Sequence, residues 1–343
     1  MDIAASTYGA DDAGLICGFL CGTDAGAREL DSAQAAQWLE ARAQRGAGSE
    51  DGFLWLHFNL GHNASRRWLS GHAGLPQAFF DTLKGGVHST RIEREEDTLI
   101  AVINDVNFDF SFEPSDISTM WISVGEHLVV TTRLRPLRSV DKLRATLKAG
   151  ERLRSSAELL AHLLRNQANA LVDIVREVTS KVDTIEDDLL ARKLDHKRVR
   201  LGALRRLLVR LQRLLAPEPA ALFRLLQHPP AWMAEADVRE LRQSSEEFSV
   251  VLSDMASLQE RIKLLQEEIA ARVNEDNGRS LFVLTVVTVL ALPINILAGL
   301  LGMNVGGVPL AQHAHGFWIV VAIVASITAL AVRFALRRRR GDG

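Results

Sequence analysis

The sequence predicts an α+β cytosolic domain, a mixed sheet with flanking helices, followed by long stalk helices and a two-helix C-terminal transmembrane hairpin. Three observations predict it. Between Ser280 and Val332, 53 consecutive residues contain no Asp, Glu, Lys or Arg. Upstream, Phe248, Val251, Met255, Leu258, Ile262, Leu265 and Ile269 step alternately by 3 and 4 residues, the repeat of a helix packed along its length. Further upstream still, residues 14–147 alternate short apolar runs with helical patterns.

Length and charge narrow the function classes. A chain of 343 residues is too long for one compact core and suits two or three domains. Its 40 Lys and Arg against 42 Asp and Glu leave a net charge of -2, which excludes a nucleic-acid binder working by bulk charge. Every one of those charges lies outside residues 280–332, a partition that excludes a wholly soluble enzyme. Met1-Asp2-Ile3-Ala4-Ala5 has no basic or apolar leader pattern, so no signal peptide is expected. Cys17 and Cys21, four apart and without nearby His, are expected to be buried, reduced strand residues.

The cytosolic α/β domain is placed at 1–150. Runs 53–60, 98–106, 117–124 and 127–134 read as strands, the last two joined by a tight turn at Gly125-Glu126. Ala33–Ala43, Ala64–Leu69, Pro76–Leu83 and Ser139–Leu147 read as helices, and Asp31-Ser32-Ala33-Gln34 is a capping pattern before the first. Residues 151–279 hold the long helices and stalk: Ser156–Arg192, then a basic amphipathic helix Arg198–Leu215. A break follows at Pro217, Pro219, Pro229 and Pro230, and from about Ala234 nothing breaks the helix until Pro293. The heptad stretch 248–269 is expected to pack in a helical hairpin with 156–192, against partner subunits, or both.

The first span is 280–303, long enough for a hydrocarbon core of roughly 30 Å; the second is 316–336. Between them 304–315 forms a short polar loop, and 337–343 is a basic tail. Arg272 and Arg279 precede the first span and Arg337 to Arg340 follow the second, which puts both termini in the cytoplasm of a multi-pass membrane protein.

Two spans cannot enclose a channel, whereas several copies can. The first span carries Thr285, Thr288 and Asn295, and an Asn near mid-membrane faces a bundle interior or water. A 3.5-residue period through Thr288 and Asn295 selects Leu281, Leu284, Thr288, Leu292, Asn295 and Gly299 as pore-lining residues. The plainer alternative is that Asn295 bonds a neighbouring helix. Asn304 reaches the same axis if the helix ends near Gly302, at the Gly302, Gly306, Gly307 and Pro309 cluster.

This hairpin, with Gly302-Met303-Asn304 closing its first span and a basic tail after its second, resembles the CorA metal ion transporter family. The continuation Val305-Gly306-Gly307-Val308-Pro309 is similar to its zinc-transporting ZntB branch. The resemblance implies a homopentameric funnel in the bacterial inner membrane, with first spans lining the pore and Gly302, Met303 and Asn304 as the outer selectivity site. It implies transported Zn2+ as cargo, with other divalent cations and H+ as further candidates, and no permanently bound cofactor. Leu301 stands where relatives carry an aromatic residue, and the outer loop lacks acidic residues; both departures argue against magnesium.

Zinc prefers nitrogen and sulfur ligands, yet the stripe holds no Cys, His, Asp or Glu, so a largely hydrated ion is expected to pass. His313 and His315 are candidate outer capture ligands, or ordinary loop histidines. Asp183, Glu186 and Asp187, with Asp188 beside them, are a candidate regulatory acidic patch, and Glu267, Glu268, Glu275 and Asp276 form another on the stalk; both are weighed against solvated faces paired with Arg176, Lys181 and Arg272. The competing readings are a CorA-type magnesium, cobalt or nickel channel and, from another class, a coiled-coil membrane scaffold or sensor. Expected partners are further copies of the chain, membrane lipid and divalent cations, with no nucleic acid. No constellation of residues supports an enzyme.

Overall fold

The structure, a computed structural model, describes residues 9–22, 26–45, 52–85, 89–113, 115–191, 197–302 and 314–341. They fall into two compact units that divide between Gln266 and Glu267.

In the first unit seven strands form one sheet: β1 (Leu15–Cys21), β2 (Arg28–Leu30), β3 (Phe53–Asn59), β4 (Arg91–Glu95), β5 (Thr98–Val106), β6 (Ile117–Val124) and β7 (Leu128–Arg133). Their order is β2-β1-β3-β7-β6-β5-β4, and β3 with β7 is the parallel pair in an otherwise antiparallel ladder. The mixed sheet follows from the connections. β6 returns as β7 through a turn closed by the Gly125 N–H and the Leu128 carbonyl. Three helices separate β3 from the rest: α1 (Ser32–Arg45) precedes it, and α2 (Asn63–His72) and α3 (Gln77–Lys84) follow.

The central strands are unbroken apolar runs because both faces are covered. Phe53, Trp55, Ala101, Ile103, Met120 and Ile122 face one way, into a core shared with the helices α4 (Arg138–Lys148), α5 (Ser156–Leu190) and α7 (Pro217–Leu225). Their alternates Leu54, Leu56, Phe58, Ile100 and Val102 face the other, packing with residues of α1, α2 and α3. Cys17 and Cys21 are buried free thiols in β1, as expected, and burial pushes both up to about 12.

Polar side chains fix where helices start. The expected capping pattern is a reciprocal box: the Gln34 N–H donates to Asp31 Oδ1 and the Asp31 N–H to Gln34 Oε1, at 2.8 and 3.2 Å. Buried Asp105 on β5 caps α4 from a distance in sequence, accepting from the Ser139 N–H at 3.0 Å and its hydroxyl at 2.6 Å. The proline break needs correction. Helix breaks at the turn residue Ala216, but Pro217 and Pro219 themselves lie in the first turn of α7, where a missing N–H costs nothing, and the chain next leaves helix after Leu225, towards Pro229 and Pro230.

Three long helices complete this unit: α5, α6 (Lys197–Leu215) and the first part of α8 (Glu235–Leu301). Their cross-links set direction. Arg165 of α5 bonds Glu240 of α8 at 3.1 Å, and Glu186 of α5 bonds Arg261 of α8, so α5 and α8 run parallel. Gln212 of α6 meets Gln259, and Arg205 of α6 meets Gln266, so α6 runs antiparallel to α8. The expected two-helix hairpin is therefore a three-helix bundle in which α6 is the return arm. All seven heptad residues, Phe248 to Ile269, are buried.

The second unit contains the rest of α8 and α9 (Gly316–Gly341). The helix passes through Pro293 and ends at Leu301, where the Gly302 N–H still reaches the Ala298 carbonyl at 2.9 Å. Met303, Asn304, His313, Met1–Ala5 and most of the loop 304–315 lie outside the described residues.

Two buried ionisable groups in the first unit are held neutral. His57 Nε2 accepts from Arg133 Nε at 2.9 Å, and burial and the Arg133 charge hold this imidazole well below its usual range. Glu218 on α7 accepts from Gln167 Nε2 at 3.1 Å, its Oε1 has no partner, and burial pushes it up to about 8. An unfolded glutamate ionises from its ordinary 4.5, so the folded state holds the extra proton between 4.5 and about 8. Stability is complete below that window and is lost as pH rises through it, at up to about 1.4 kcal/mol per pH unit. Glu218→Gln removes this loss. Urea unfolding in detergent at pH 5.5 and 8 is expected to show a smaller fall for the variant than for the wild type.

Candidate functional site

The charge-free part of α8 differs from the part before it in one respect: its side chains are bare. Leu281, Leu284 and Leu292 are 63%, 63% and 57% exposed, while the heptad residues on the same helix are buried. Among the described residues, Glu235–Leu300 is the one helix long and apolar enough to cross a membrane, and none of its apolar window is buried; Gly316–Leu330 is a shorter apolar helix. Bare apolar surface of this extent is unfavourable in water and neutral in lipid.

The two helices of this unit face each other across a cavity of about 120 Å³ lined by Leu290, Pro293, Ile294 and Leu297 on α8 and by Val324 and Ile327 on α9. At about 100° per residue, Leu281, Leu284, Thr288, Leu292, Asn295 and Gly299 fall on the opposite side of α8. The predicted stripe therefore points away from α9, free for other contacts.

Local chemistry sets what this stripe presents. The Thr285 and Thr288 hydroxyls each donate to the carbonyl four residues back, both at 2.8 Å. Their protons are thus used within the helix and their oxygens remain acceptors. Asn295 is exposed, and a side chain at Gly299 would meet nothing within 4 Å. The surface is aliphatic with neutral oxygen acceptors, suited to a cation that keeps its water and unsuited to stripping it. Gly302 stands just past the helix end, and His315 is exposed before α9, its carbonyl accepting from the Ile319 N–H at 3.2 Å.

The acidic patch is less free than the sequence implied. Arg261 reaches from α8 to Asp183 at 2.7 Å and to Glu186, while Asp187 is exposed. Of the cations expected to pair with the two patches, Arg176 goes to Asp173 and Lys181 to Glu177, while Arg272 meets Glu268 of the stalk patch as expected. A second cluster escaped sequence reading. Glu158, His162 and Glu240 hold their ligand atoms within 4.8 Å of one another. The spacing of four between Glu158 and His162 was visible; Glu240, from another helix, was not. Arg154 and Arg165 already neutralise both carboxylates, so this is an ion-pair network joining α5 to α8.

A sheet domain, a three-helix bundle and an apolar helix with a neutral polar stripe define the class as a membrane transport protein. The family model described as CorA-like Mg2+ transporter protein matches residues 50–338. The chain belongs to that family, whose members are divalent cation transporters. The divalent cation transporter CmaX of Pseudomonas aeruginosa is 29% identical over 322 residues, 92% of this chain and 94% of that protein. The structure of full-length CmaX superposes with a TM-score of 0.77 at 26% identity, covering 95% of this chain and 99% of that one. The zinc transport protein ZntB of Yersinia enterocolitica is 27% identical over 263 residues, 77% of this chain and 80% of that protein.

Arg261 and its two carboxylates are each about half exposed, so Arg261→Met is expected to cost less than about 1 kcal/mol of stability. It also frees Asp183 and Glu186 as ligands. Thermal unfolding with and without added Mg2+ or Zn2+ checks this: the cation should raise the midpoint of the variant more than that of the wild type.

Proposed function

We propose that copies of this chain assemble into a homopentameric pore that carries Zn2+ across the bacterial inner membrane, with α8 lining the axis and α9 outside it. The supporting observation is the direction of the stripe. The residues selected by sequence period lie opposite the α9-facing side, bare and neutral, which is where self-association around a wet axis would use them. A scaffold anchor has no need of Thr288 or Asn295 on that side.

In this reading the ion passes with most of its water. Neutral oxygens of Thr288 and Asn295 contact the hydration shell, and Leu281, Leu284 and Leu292 form apolar rings that can gate by dewetting. Gly302, Met303 and Asn304 make the outer selectivity site, and His313 and His315 stand at the mouth, able to capture zinc or to respond to pH near neutrality. Zinc is favoured over magnesium by the ZntB resemblance and by an outer loop without carboxylates. Both termini are cytoplasmic. Proton coupling, if the pore uses it, runs through that His pair or through water, since neither span carries a group that titrates near neutrality.

Two measurements on the purified protein in liposomes test this. Asn304→Ala and Asn295→Leu each remove an amide contact to the ion's water, and each is expected to lower indicator-detected Zn2+ flux at least about tenfold. Flux equal to wild type in both variants would leave the scaffold reading standing. Under imposed proton gradients, the His313→Ala/His315→Ala double variant is expected to lose the pH dependence of flux while retaining flux itself; an unchanged pH profile removes the pair from the mechanism.

A further inference from the structure

Helix α6 is basic along its whole length, with one Lys, six Arg and no acidic residue between Lys197 and Leu215. Several basic side chains of the first unit meet carboxylates, Arg154, Arg165, Lys181 and Arg261 among them, as does Lys197 at the start of α6. Arg205, Arg206, Arg210 and Arg213 do not; among the described residues no ion pair joins any of them to an acid. All four are exposed, and they converge on a groove of about 610 Å³ that Gly202 and Gln266 also line.

The arrangement is costly as it stands. Arg206 and Arg210 are four apart and Arg210 and Arg213 three apart, spacings at which like charges destabilise a helix until something neutralises them. The facing side of α8 supplies an amide in place of a carboxylate. Gln266 accepts from Arg205 through Oε1 at 3.4 Å, and its Nε2 is left as one more donor toward the groove. Gly202 keeps the groove open, since a Cβ there would already sit 3.5 Å from an Arg206 terminal nitrogen and 3.7 Å from Gln266 Nε2.

We propose that this groove is a binding site for a multivalent phosphate anion, a di- or triphosphate chain, held by Arg205, Arg206, Arg210 and Arg213. Guanidinium forks match phosphate oxygens two at a time, and several in one concavity favour a ligand with several negative groups over a single monovalent ion. The volume lies within the range of small-molecule sites. Among the described residues no aromatic side chain lines it, so recognition falls on the phosphate chain and not on a base. A partner protein fits less well, because among the described residues Val209 is the one apolar side chain lining it, and protein interfaces are anchored by an apolar centre.

Calorimetric titration of the full-length protein in detergent tests this, with metal removed by chelator and ionic strength held constant. Inorganic triphosphate is expected to bind at least about tenfold more tightly than sulfate, and Arg206→Gln/Arg210→Gln to weaken it by at least about tenfold. Gly202→Leu keeps every charge but fills the groove, and is expected to weaken binding comparably; thermal unfolding verifies that both variants fold. ATP binding as tightly as triphosphate assigns recognition to the chain, and tighter ATP binding adds the nucleoside; either supports the site. Triphosphate no better than sulfate, or unchanged binding in Gly202→Leu, overturns it. So does a fall in native mass of the arginine variant with anion binding intact, which would make the groove an interface between copies.

Discussion

Every peptide group in a stretch without charge must find its partner without help from water, and that constraint organises the molecule. Helix α8 meets it by running unbroken from Glu235 to Leu301, so its backbone donors and acceptors are satisfied within one element. Thr285 and Thr288 meet it again at the side-chain level by bonding back to Leu281 and Leu284. Pro293 is the single concession, since its missing N–H leaves the Val289 carbonyl without its helical donor. The proline sits on the cavity side shared with α9, so the irregularity is kept off the polar stripe.

One helix thus serves two solvents, and each part of its sequence is patterned for its own. From Phe248 to Ile269 seven apolar residues keep a strict seam, and most of the remaining positions are polar or charged. The seam is supported by polar links at several levels: Arg165 with Glu240, Gln212 with Gln259, and Arg261 with Asp183 and Glu186. Individually such partly exposed links are weak. Their spread along the helices fixes register and direction, which hydrophobic contact alone specifies poorly. Past Arg279 charges disappear and the apolar residues surround the helix, as a lipid-facing segment requires.

What could be read from sequence, and what could not, follows from where each element lies. The four strands 53–59, 98–106, 117–124 and 128–133 are central and covered on both faces, so they are apolar runs that announce themselves. β2 and β4 were missed, and they are the two edges of the sheet. Their sequences, Arg28-Glu29-Leu30 and Arg91-Ile92-Glu93-Arg94-Glu95, carry the charges that keep an open edge from pairing with another chain. α7 was hidden by prolines that its first turn tolerates. In the bundle, periodicity identified α5 and α8 as partners but could not give their parallel sense, which depends on α6 as the return arm. That Leu281, Leu284, Thr288, Leu292, Asn295 and Gly299 share one side of α8 follows from sequence period alone, because it is local to one helix. The buried Glu218–Gln167 and Asp105–Ser139 pairs were not, because each joins residues 51 and 34 apart in sequence.

The chemistry of the stripe bears on where discrimination between ions could arise. Hydroxyl and amide oxygens on an otherwise aliphatic surface bind a hydration shell and leave the ion itself untouched, so they distinguish charge and hydrated size better than they distinguish zinc from magnesium. Choice of metal needs ligands that enter the inner sphere, and zinc favours nitrogen or sulfur there. In the first unit, the cluster with such a ligand, Glu158, His162 and Glu240, is engaged by Arg154 and Arg165 and does not stand ready for a cation. The histidines flanking the second span are the nitrogen ligands adjoining the proposed pore. If α8 lines the axis, selectivity for zinc is then a property of entry, and the stripe serves to keep an ion moving once it has been chosen.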